Sequence, residues 1–143
     1  MPSTFSPNLR IELIAPGEQS NTWGITTNNN LGTLIEQAIS GLVEVDVTAA
    51  DVELTALNGE TDQSRNMMLK VTGTPDAERT LTAPAVTKMY TLINASTKPI
   101  TIISSAEESV GIKLGPDGST MVYCDGTNFY KVIASGADRK SVV

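Results

Sequence analysis

The 143-residue chain is the length of one domain, large enough to bury about 68–70% of its unfolded surface without disulfides or metal. Its 16 acidic and 10 basic residues give a net charge of −6, and the basic ones are scattered, which argues against nucleic acid as a partner. It has no histidine and one cysteine, Cys124, which excludes Ser-His-Asp and Cys-His catalysis, the usual zinc ligand sets and an internal disulfide.

Residues 1–8 read as an extended arm, because Pro2 and Pro7 disfavour helix. The arm lacks the basic and apolar regions of a signal peptide, and no apolar run approaches the ~18 residues of a membrane span. In Leu9–Ile14, apolar and charged positions alternate, which predicts a strand ended by Pro16-Gly17. The stretch around Trp23 has no clear period and reads as an ordered loop. Leu31, Leu34, Ile35, Ala38 and Ile39 follow the i, i+3, i+4, i+7, i+8 spacing of one helix face, which predicts a short amphipathic helix over about 30–40. Asn28, Asn29 and Asn30 are candidate N-caps, and Gly41 is placed for a left-handed residue at the C-terminus.

Strands follow. Val43, Val45 and Val47 alternate with Glu44, Asp46 and Thr48, and Val52, Leu54 and Ala56 repeat the pattern before a turn at Asn58-Gly59. Further strands are predicted at 67–72, 79–83, 88–94, 100–104, 110–114, 120–124 and 128–133. Pro84 marks 79–83 as an edge, and Asp125-Gly126 predicts a tight hairpin. About nine strands at roughly 8–12-residue spacing predict a mainly β fold, an antiparallel β-sandwich or barrel with one helix near the N-terminus. Residues 9–133 form the single domain, 134–143 a flexible tail, and no repeat of fixed period is present.

The reactive side chains all have simpler structural explanations. Cys124 alternates with Val122 in a strand and is expected to pack there. Glu107-Glu108 reads as a solvated loop, and Asp117 and Asp125 as turn residues rather than calcium ligands. No catalytic, cofactor or metal-binding residue is assigned. Trp23, the only tryptophan, is expected to anchor its loop or meet a neighbouring subunit, since sugar-binding faces use several aromatics and only 4% of this chain is aromatic. Leu34 and Ile35 belong to a stripe expected in the core, and either could contribute to a threefold axis. Phe5 is the natural anchor if the arm docks on a partner.

The ordered pattern PNLRIELI, GEQSNTWGITTNNNLGTLIEQAISG, RNMMLKVTGTP and YCDGTNFY resembles the N-terminal module of tailed-bacteriophage tail fibres and related small virion proteins. The resemblance covers roughly residues 7–132. It implies assembly rather than chemistry: a homotrimer seated on other virion proteins of the tail or capsid, with no nucleic acid and no membrane. A tail-fibre or adaptor role is the leading expectation. The lack of a shaft after the module instead favours a head decoration (cement) protein, and a carbohydrate-binding module is the alternative of another class. A charged fraction of 18%, against a typical ~25%, suits surface hidden in an assembly.

Overall fold

Thr4–Phe5 (β1) and Glu12–Leu13 (β2) pair antiparallel, with Thr4 opposite Leu13 and Phe5 opposite Glu12. The computed structural model that shows this describes residues 2–132, so the tail expected at 134–143 lies outside the described residues. The N-terminal segment, expected as an extended arm, turns back on residues 12–13. Arg10 takes a left-handed φ of 56° in the turn, and its N–H donates to Ser6 O at 3.0 Å.

A continuous helix of 18 residues, α1, occupies 23–40. Its centre, Asn30–Ile35, is wound as a π-helix between the α-helical turns Trp23–Asn29 and Glu36–Ser40. The helix starts at Trp23, earlier than the apolar spacing predicted, so Trp23 is a helical residue and not a loop residue. Thr22 precedes the helix without a side-chain cap. Gln19 organises the entry instead: its carbonyl accepts the Trp23 N–H at 2.8 Å, and its side chain accepts the Thr26 hydroxyl. The Asn run is not a cap. Asn30 bonds the backbone of Glu12 in both directions, and Asn29 donates to Gly59 O at 3.0 Å. These amides tie the helix to the hairpin and to the 58–59 turn. Gly41 is extended (φ −74°, ψ 141°) rather than left-handed. Space demands glycine there, since a Cβ would lie 2.4 Å from Asn66 Oδ1 and 2.5 Å from Gln37 O.

Nine strands build two larger sheets. They are Leu42–Asp46 (β3), Val52–Glu53 (β4), Met68–Thr72 (β5), Arg79–Ala83 (β6) and Thr87–Asn94 (β7). Ile100–Ser104 (β8), Ile112–Leu114 (β9), Ser119–Asp125 (β10) and Phe129–Lys131 (β11) complete them. One sheet has the order β11-β10-β7-β5-β3 and the other β4-β6-β8-β9.

The antiparallel expectation fails in a specific way. Strands β3, β5 and β7 are mutually parallel, as are β4, β6 and β8. Within these two sheets only β9, β10 and β11 add antiparallel pairings, and no closed barrel forms among the described residues. The cause is the route of the chain. From β3 to β8 it alternates between the sheets, strand by strand, so each strand lies beside the one two elements earlier, pointing the same way. Parallel neighbours need a long crossover. Here a strand of the other sheet supplies it, which is the winding of a short β-solenoid.

Buried side chains of both sheets form one core cluster: Val45, Val47, Leu69, Val71, Tyr90, Leu92, Val122, Cys124 and Phe129 from one, and Leu54, Leu81, Ala83, Ile100, Ile102 and Leu114 from the β4 side. The period-2 alternation read from the sequence is what delivers them to one side.

Candidate functional site

A buried polar cluster joins the N-terminal hairpin to the solenoid. Arg65 and Asp62 both have fully buried side chains. Asp62 accepts Arg10 Nη2 at 2.9 Å, the Arg65 N–H at 2.7 Å and the Leu57 N–H at 2.7 Å, and Arg65 Nη1 lies 3.4 Å from it. Arg65 spends its remaining donors on carbonyls: Leu9 O at 2.9 Å, Leu57 O at 2.8 Å and Glu60 O. One guanidinium thus fixes the 57–66 loop and clasps the hairpin at Leu9. Tyr90 donates its hydroxyl to Ser64 O at 2.8 Å, and Lys88 Nζ sits 4.5 Å from the Tyr90 ring centroid. Burial, aided by the nearby Arg10 charge, pulls the Lys88 ammonium down to about 8. Burial likewise pushes the Tyr90 phenol up from its ordinary value. Most hydrogen bonds in this cluster end on backbone N–H or carbonyl groups, so we read it as a structural clamp.

The chemistry open to the remaining groups is narrow. The Cys124 thiol is buried and pushed up from its usual value by that burial, the reverse of an activated thiolate. Asp125 is held below its ordinary value by the Asn128 and Thr127 N–H groups, and these bonds close the β10–β11 turn. Among the described residues no group of three or more His, Cys, Asp or Glu is placed to hold a metal ion.

Two exposed apolar surfaces stand out instead. The first lies along α1, where Trp23 is 60% exposed, Ile25 72%, Leu31 58% and Ile39 72%, with Leu31 and Ile39 at i and i+8 on one flank. The second is the outer side of the five-stranded sheet. Leu42, Met68, Thr91 and Met121 lie in register across β3, β5, β7 and β10. Beside that row, Met89, Tyr123 and Tyr130 lie in register across β7, β10 and β11. The Tyr123 and Tyr130 rings stack with centroids 5.3 Å apart. Monomeric proteins seldom leave this many large apolar side chains in water on adjoining positions.

The four residues singled out in the sequence are dispersed. Phe5 is half-buried in β1, its ring against Gly59, where a Cβ would approach Phe5 Cε1 to 3.1 Å. Trp23 stands exposed at the start of α1, while Leu34, 0% exposed, is the helix's buried contact and Ile35 is half-buried beside it. At 1.5 Å per residue, Trp23 and Leu34 are about 16 Å apart along the helix. The outer sheet face was not anticipated. Its signal was present, since Met121 and Tyr123 alternate with Val122 and Cys124, making that strand apolar on both sides. Comparison of the chain with protein-family models, curated proteins and solved structures found no match.

Proposed function

We propose that this chain is a non-enzymatic structural module of a tailed-bacteriophage virion, assembling as a homotrimer and seated on the tail as a fibre or adaptor component. The observation that carries the assembly part is the apolar flank of α1, with exposed Leu31 and Ile39 on either side of half-buried Ile35 at i, i+4 and i+8. Three such flanks meeting on an axis would remove them from water, at roughly 1.5–3 kcal/mol for each large side chain fully covered. The virion placement rests on the sequence resemblance. We read the two larger sheets, with their shared core, as sandwich-like packing, a rigid body suited to a load-bearing joint.

A second reading, carbohydrate binding, is favoured by one feature, the exposed Tyr123–Tyr130 stack. Each ring covers one face of the other, leaving a smaller platform than sugar stacking normally uses.

The placement is tested by immunogold labelling of intact tailed-phage particles that carry this chain. The proposal expects label on the tail, at a copy number that is a multiple of three. Label confined to the head would replace it with a decoration role, and particles without the chain would end the virion assignment.

A further inference from the structure

β3 is the outermost strand of its sheet, with no neighbour beyond it among the described residues. Its backbone bonds show which groups are spare. The Met68 N–H donates to Gly41 O, and the Val47 N–H donates to Thr72 O. In a parallel ladder each residue turns both its N–H and C=O to one side. The odd-numbered residues of β3 therefore face β5, and Leu42, Glu44 and Asp46 turn theirs outward.

Natural edges are usually blunted by charged side chains, lysine above all, by proline or by a bulge, and the only such device on β3 is its acidic pair, Glu44 and Asp46. β3 has neither lysine nor proline, and its register with β5 runs unbroken from Leu42 to Asp46. A cavity of about 300 Å³ opens beside its start, lined in part by Gln37, Leu42, Val43, Thr55, Asp62 and Asn66. The side chains on the outward positions are acidic at Glu44 and Asp46. Lys70, in register with Glu44, is the one basic residue of β5. Bonds from the Thr48 side chain and the Thr48 N–H hold the Asp46 carboxyl below its ordinary value.

We infer that β3 is a docking edge for a basic, extended segment of a partner protein, which adds to the sheet as a sixth strand. The added strand would bond the outward groups of Leu42, Glu44 and Asp46, place lysine or arginine beside the two carboxylates, and turn one side chain inward over the cavity. This is strand addition, in which the main chain gives affinity and alternate side chains give selectivity. A second copy fits worse: antiparallel pairing of two β3 edges about Glu44 would set Glu44 against its own counterpart, which is unfavourable. The inference rests on the reading that the chain docks on another protein, and not on the trimer.

Three capped peptides test it against the full chain. The first alternates lysine and valine over eight residues. The second replaces lysine by glutamate. The third is the first, N-methylated at two adjacent central amides, which blocks both of its edges. Amide hydrogen exchange read by NMR should slow roughly tenfold or more at Leu42, Glu44 and Asp46 with the first peptide only. Glu44→Gln/Asp46→Asn, with unchanged circular dichroism, should bind that peptide several-fold more weakly. Failure of the first peptide to bind, equal binding by the acidic or methylated peptide, or protection elsewhere would each overturn the inference. The mass of the same sample by light scattering reports separately on the trimer, so the two ideas can fail independently.

Discussion

Asp62 holds two arginines at once, and that makes it the residue whose loss should cost most. Replacing it by asparagine leaves the buried Arg65 charge without its carboxylate, and Arg10 with it. Breaking a buried pair from one side costs about 3–5 kcal/mol. Asp62→Asn should lose that much in urea melts, whereas Asp76→Ala, which removes a largely exposed partner of Arg79, should cost under about 1 kcal/mol. Equal losses would mean that Arg65 is held by its carbonyl partners alone. The cluster also sets an alkaline profile. Lys88 titrates near 8 when folded and near 10.5 when unfolded, so between these values the unfolded chain binds more protons and stability rises with pH. Tyr90 works the other way. Its folded phenol keeps its proton above 10, where the unfolded one loses it, so stability falls there. Lys88→Met should abolish the rise between about 8 and 10.5 in pH-dependent melts and leave the fall. Little of this was legible. Asp62 and Arg65 sit three residues apart in a polar stretch that reads as a turn, and Arg10 lies 52 residues from Asp62. A long-range partner leaves no local trace in the sequence.

At the scale of elements, the alternation that predicted strands was reliable from β3 onward because a pleated strand must send successive side chains to opposite sides. Of the strand predicted at Leu9–Ile14, by contrast, only Glu12–Leu13 forms, since Arg10 at φ 56° breaks the extended course before it. Val43-Glu-Val45-Asp-Val47 and Met121-Val-Tyr123-Cys lie as that rule demands. The Asp125-Gly126 turn also joins β10 to β11 as a hairpin. The helix was harder. Its first turns hold Thr26, Thr27, Asn28 and Asn29, poor helix formers with no apolar period, yet Gln19 and the Asn side-chain bonds carry them. Farther along, a π-turn holds more residues than 3.6, so the apolar stripe rotates away from the body. Leu34 stays buried, but Leu31 and Ile39 do not. Leu34→Ala should therefore cost about 2–5 kcal/mol of stability. Leu31→Asp and Ile39→Asp should each change monomer stability by less than about 0.5 kcal/mol, and only their assembly should suffer. A large loss from either Asp variant in a denaturant melt of the isolated chain would place that residue in the core.

The whole molecule is a short winding whose coils differ in length. Leu42 pairs with Met68 and Met68 with Thr91, steps of 26 and 23 residues, while Val52 pairs with Leu81 and Leu81 with Ile102, steps of 29 and 21. Unequal steps leave no fixed period, so the solenoid course was invisible in the sequence, and the strand spacing pointed to antiparallel hairpins instead. What spacing cannot encode is which strand a segment returns to. The sheet's outer rows and the α1 flank are the large-scale consequence: a folded, rigid body that still presents apolar side chains outward. The account stands on those surfaces meeting copies of themselves. Multi-angle light scattering of the full chain at tens of micromolar should give about 45 kDa, three times 15.1 kDa, and Leu31→Asp/Ile39→Asp should give 15.1 kDa with unchanged circular dichroism. A wild-type mass of 15.1 kDa, or a trimer indifferent to the two substitutions, would contradict it.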